Sequence, residues 1–140
     1  MSWYLAKDKD KKLAIDFFNS MDNQTSPPFS SYPHGLEGTI DLFLSHGRLI
    51  LAEKNQSIVG LLGYFHGVPH LNSSNNFEFE NKKIAYIYSL VVSPEFRGQR
   101  LTKELLKFVG EQVLGDYHNE IRFKSYRDNN DSINKLYSNI

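Results

Sequence analysis

Residues 84 to 103 read Ile84-Ala85-Tyr86-Ile87-Tyr88-Ser89-Leu90-Val91-Val92-Ser93-Pro94-Glu95-Phe96-Arg97-Gly98-Gln99-Arg100-Leu101-Thr102-Lys103. The run from Ile84 to Val92 is almost continuously apolar, which predicts a strand covered on both faces and the best candidate for the centre of a sheet. Pro94 ends the ladder, and a short loop feeds a helix over 101–114 with Leu101, Leu105, Phe108, Val109 and Gln112 on one side. The first amides of a helix have no intrahelical acceptor and sit at the positive end of the helix dipole. Such a turn is an anion site in waiting, and a glycine there lets a phosphate approach the backbone. Arg97, Arg100 and Lys103 add positive charge around it. The stretch matches neither the lysine-containing phosphate loop nor a dinucleotide fingerprint.

Outward from this core, residues 2 to 6 suit a short strand, and Asp8 to Met21 carries Leu13, Phe17, Phe18 and Met21 at helical spacing. Asn23 to Gly35 is a loop rich in Pro, Ser and Asn, and Leu36 to His46 places Leu36, Ile40, Phe43 and Leu44 on one helical face before Gly47. Arg48 to Glu53 and Ile58 to His66 flank Lys54-Asn55-Gln56-Ser57 as an antiparallel hairpin. The polar stretch from Val68 to Lys83 reads as a loop or a frayed extension of that hairpin. Beyond the central helix, Glu120 to Tyr126 alternates as a half-buried strand, and Asp131 to Ser138 closes the chain as a short helix. The order predicts one mixed α/β domain over 1–140, built around a single sheet.

Composition bounds the function. The chain has 140 residues, 40% hydrophobic and 23% charged, with Lys plus Arg and Asp plus Glu at 16 each. That balance gives no electrostatic reason to expect nucleic acid or an anionic membrane as a partner. With no cysteine, disulfides, thiolate metal sites and a cysteine nucleophile are excluded. The N-terminal residues lack the apolar stretch of a signal peptide, so the expected location is cytoplasmic. His34, His66, His70 and His118 show no metal-like spacing, and no metal is expected from them.

The segment Leu90-Val91-Val92-Ser93-Pro94 followed by Arg97-Gly98-Gln99-Arg100-Leu101-Thr102 resembles the GNAT superfamily of N-acetyltransferases. That family joins an apolar-x-Val-x-Pro strand end to Arg/Gln-x-x-Gly-x-Gly/Ala at a helix start. The frame and the first arginine match, while Arg100 and Thr102 stand where the family has small residues. Arg100 either crowds the pyrophosphate or swings outward to pair with it, and the second reading is favoured. A second family element, near the C-terminus, is met by Asn130, Ile133, Leu136 and Tyr137.

The resemblance implies an acyl-CoA N-acyltransferase-like fold, a single mixed and mostly antiparallel sheet flanked by helices. It implies acetyl-CoA as co-substrate, held by Leu90, Val91, Val92, Arg97, Gly98, Gln99, Arg100, Leu101, Thr102 and Asn130, with Tyr137 protonating the departing thiolate. The acceptor is a small-molecule or peptide amine, selected by the segments 22–35 and 68–83. Glu78, Glu80, Tyr86, Tyr88 and His66 are the candidates for a base. The alternative is a non-catalytic acyl-CoA-binding or interaction module of the same fold. Family members continue into further strands where this chain stops at Ile140, which implies C-terminal strands that are missing or supplied by another chain, as in a homodimer completing the sheet.

Overall fold

The computed structural model describes residues 2–22, 28–96 and 99–123, with backbone alone at 29 and 99–102. Five strands form one sheet in the order β1 (Ser2–Leu5), β2 (Gly47–Lys54), β3 (Ser57–Leu71), β4 (Phe77–Val92) and β5 (Glu120–Phe123). Neighbours are antiparallel except β4 and β5, which run parallel. Helices α1 (Lys11–Met21) and α2 (Gly35–His46) lie between β1 and β2 in sequence, and α3 (Gln99–Gly115) makes the crossover from β4 to β5. A parallel pair demands such a crossover, because no tight turn can return the chain to the same end.

Both faces of the sheet are covered, and successive residues along a strand serve opposite faces. Leu49, Leu51, Leu61, Phe65, Tyr88 and Val91 pack with Ala14, Phe18, Ile40 and Phe43 of α1 and α2. Ile50, Leu62, Tyr64, Ala85 and Ile87 pack with Leu105, Val109 and Val113 of α3. The unbroken apolar runs of β2, β3 and β4 follow from this double burial. On α1 the buried stripe is Ala14, Phe17, Phe18 and Met21, and Leu13, expected on that face, is 49% exposed. At 3.6 residues per turn Leu13 falls about 90° from the midline of that stripe.

One further expectation changes, and one open alternative is decided. The middle strand of the described sheet is β3, not the strand ending at Val92, which lies one place off centre. The segment 68–83 is the hairpin extension rather than a loop: Val68 pairs with Glu80 and Leu71 with Phe77. The polar residues compress into a tight turn in which the Asn72 side chain accepts from the amides of Ser74 and Asn76. Asn and Ser favour such side-chain-to-backbone turns. The alternation Phe77-Glu78-Phe79-Glu80 was the strand signal there.

Two glycines bring the layers together. A Cβ on Gly63 would lie 2.3 Å from the Phe43 ring, so the glycine lets α2 seat against β3. A Cβ on Gly47 would lie 1.9 Å from the Tyr64 carbonyl oxygen, where α2 turns directly into β2.

Candidate cofactor and acceptor site

The site is built on an irregularity in β4. Gly63 of β3 pairs with Ser89, and its successor Tyr64 pairs with Ile87, so Tyr88 is an extra residue opposite no partner. One extra residue bends its strand and sharpens the local twist. β5, described as far as Phe123, pairs with β4 from Ile84 to Ile87, just before this bulge. The described parallel pairing thus runs up to the residue before Tyr88, where β4 bends.

Beyond the bulge the chain proceeds through Ser89, Leu90, Val91 and Val92 to the start of α3. Val91 is buried against the α1–α2 face, and Leu90 packs toward α3. The Ser89 hydroxyl is buried with no hydrogen-bond partner among the described residues. Buried hydroxyls ordinarily have one. The Ser93 amide donates to the Val59 carbonyl at 2.8 Å, and Lys54 Nζ sits 4.9 Å from the centre of the Phe96 ring. These contacts fasten the connection between β4 and α3 to the hairpin of β2 and β3. Gln99, Arg100, Leu101 and Thr102 form the first turn of α3, whose amides have no acceptor within the helix. Arg97, Gly98, Asn130 and Tyr137 lie outside the described residues.

Around Tyr88 the sheet carries an aromatic patch. Its ring lies 5.3 Å from Tyr32, 5.2 Å from Phe65 and 5.9 Å from Phe77. Such edge-to-face and tilted contacts fix ring positions as well as burying area. His34 borders the patch, 4.7 Å from Phe77, and its Nε2 is 2.9 Å from the Asn75 carbonyl. The two segments expected to select an acceptor, 22–35 and 68–83, thus meet through His34 and Asn75.

The candidate bases separate by face. Tyr86 and Tyr88 lie on the side of α1 and α2, and burial raises the phenol pKa of Tyr86. Glu78 and Glu80 are exposed along the hairpin, with Glu80 3.4 Å from His70. His66 lies on the opposite face, its Nδ1 2.8 Å from Nε2 of His118, and is removed from this patch. Tyr32 and His34 were missed as site residues, because only the meeting of the helix loop with the hairpin gives them a role.

The family model of the acetyltransferase (GNAT) family matches residues 14–138. The chain belongs to the GNAT acetyltransferase family. No curated protein sequence matches it. Among solved structures, it is similar to a probable acetyltransferase at 17% identity and a TM-score of 0.69, over 99% of this chain and 87% of that one. A ribosomal-protein-alanine N-acetyltransferase from Brucella melitensis biovar Abortus 2308 is 14% identical with a TM-score of 0.65, covering 100% of this chain and 89% of its own. An aminoglycoside N-acetyltransferase in complex with CoA is 12% identical with a TM-score of 0.63, covering 99% and 88%. These likenesses bear out the expected fold.

Proposed function

We propose that this chain transfers an acetyl group from acetyl-CoA to an amine, by direct attack of the amine on the thioester. The observation that carries the reading is the bulge at Tyr88, which bends β4 between its parallel pairing with β5 and the start of α3. The residues fit the co-substrate: a bent strand edge, a buried Ser89 hydroxyl without a partner among the described residues and a helix start stand in sequence along one path. Acetyl-CoA supplies an activated acyl thioester.

The protein's own part is positioning and polarisation. Backbone groups of Leu90, Val91 and Val92 hold the arm, and the amides from Gly98 to Thr102 meet the pyrophosphate with Arg97 and Arg100 beside them. A main-chain N–H after the bulge, aimed at the thioester carbonyl, stabilises negative charge as it develops. Asn130 holds the pantetheine arm, and the Tyr137 hydroxyl donates a proton to the departing thiolate. The amine enters over Tyr32, His34, Phe77 and Tyr88, and loses its proton through water to His34.

The acceptor class is a small-molecule amine, a peptide N-terminus or a lysine. The relatives named above include one that acts on ribosomal-protein alanine and one on aminoglycosides. The test is release of free thiol from acetyl-CoA against a panel of such amines. Release with at least one amine, falling about a hundredfold in kcat for Tyr137→Phe, is expected for a proton donor. Binding of acetyl-CoA with no release against any amine would favour a non-catalytic acyl-CoA-binding module, the reading to which Arg100 and Thr102 lend weight.

A further inference from the structure

The other end of α3 carries a polar cluster that the acetyl-transfer chemistry does not use. His66 of β3 and His118, which follows α3, face each other with Nδ1 and Nε2 2.8 Å apart. Their ring centres are 5.0 Å apart and their planes 26° from parallel. Asp116 completes the group, and ligand atoms of all three residues lie within 4.8 Å of one another. At 1.5 Å per residue, the 17 residues of α3 put this cluster about 25 Å from the helix start where a pyrophosphate would sit.

Three local rules are broken at this corner. Tyr117, between the two ligand candidates, has φ of 64°, the left-handed region that favours glycine, and its side chain is 90% exposed. This closes α3 in a Schellman turn, with the Tyr117 amide donating to Leu114 and the His118 amide to Val113. The turn directs Asp116 and His118 to the same point. Asp116 also sits at the negative end of the helix dipole, the unfavourable end for a carboxylate. His118 is only 5% exposed, yet its Nδ1 has no partner among the described residues. Packing alone rewards none of these choices, and such departures concentrate where a site is built.

We propose that His66, His118 and Asp116 form a binding site for a divalent transition metal ion, with zinc as the favoured occupant. Two imidazoles and one carboxylate are a donor set for Zn²⁺ or its neighbours in the series, and not for Mg²⁺ or Ca²⁺. Three protein ligands leave a fourth tetrahedral position for water.

The carboxylate is already oriented. Tyr64 Oη donates to Asp116 Oδ2 at 2.6 Å, Arg48 Nε to the same oxygen at 3.2 Å and Arg48 Nη2 to Oδ1 at 3.0 Å. Ligating carboxylates usually carry such partners, and Oδ1 keeps a lone pair for the metal.

Filling the site asks for little movement. Metal–nitrogen bonds of about 2.05 Å at a tetrahedral angle need nitrogens about 3.3 Å apart, a small widening of the present contact. In the empty pair one facing nitrogen carries a proton. In the filled site that proton moves to the other nitrogen of the same ring, so no net proton is lost. A groove between α3 and β5, lined by Val113, Leu114, His118 and Ile121, gives an approach. An ion here would tie β3 to the corner from which β5 departs.

The test uses the full chain, tag-free and freed of metal with a chelator. Calorimetric titration with Zn²⁺ is expected to show one site per chain. Co²⁺ is expected to give the visible absorption bands of a tetrahedral nitrogen–oxygen site. Binding should weaken about tenfold or more in His66→Gln and Asp116→Asn, and stay unchanged in His70→Gln. Absence of saturable Zn²⁺ binding and of Co²⁺ bands in the wild-type chain would overturn the proposal without recourse to any variant. So would binding indifferent to His66→Gln.

Discussion

At the scale of single residues, the network around Asp116 is the most informative feature outside the proposed cofactor site. Removing a donor from a largely buried carboxylate leaves it short of partners, which costs more than a surface ion pair is worth. Arg48→Met is therefore expected to lower stability by about 1–3 kcal/mol in urea denaturation. Lys12→Met, which breaks the exposed pair with Asp16, should change it by less than about 0.5 kcal/mol. Equal losses in the two variants would mean that Asp116 is solvated in solution. Gly63→Ala drives a methyl group into the Phe43 ring and is expected to cost about 1–3 kcal/mol by the same measurement. The sequence could not announce these partners: His66 and His118 are 52 positions apart, as are Tyr64 and Asp116. Along the chain each looks like an isolated polar residue. By contrast the strand end at Leu90, Val91 and Val92 was legible, because the Pro after an apolar run and the basic turn behind it form one local pattern.

At the scale of elements, periodicity carried most of the reading. Helices α1 and α2 and the hairpin of β2 and β3 lie within a few residues of their expected bounds, since each has a clear apolar repeat and a stop signal. The hairpin turn has Asn55 and Gln56 at φ of 52° and 66°, the pair of positive angles that a type I′ turn demands. Glycine adopts that conformation without the strain a side chain adds there. Gln56→Gly should raise stability by about 1 kcal/mol, seen as a higher melting temperature. A fall instead would show that the Gln56 side chain makes a contact that matters. The extension from Val68 to Lys83 was harder to read because its Asn and Ser residues favour turns, while its pairing depends on phenylalanines packing across the hairpin. The bulge at Tyr88 left no mark in the sequence at all. It appears only when the two strands are laid side by side, because it is a mismatch in register and not a property of either strand.

At the scale of the whole molecule, the two faces of the sheet divide the work. The α1–α2 face carries the aromatic patch where an acceptor amine would arrive, and the α3 face carries the histidine pair at the end remote from the cofactor turn. The bent strand β4 joins them, and in the proposed reading its bulge marks where a coenzyme would enter. Calorimetric titration of acetyl-CoA into the purified chain measures this most directly. One saturable site per chain, with micromolar affinity and competition by free CoA, is the predicted result. No binding at millimolar acetyl-CoA by a chain whose melting shows it to be folded would contradict it.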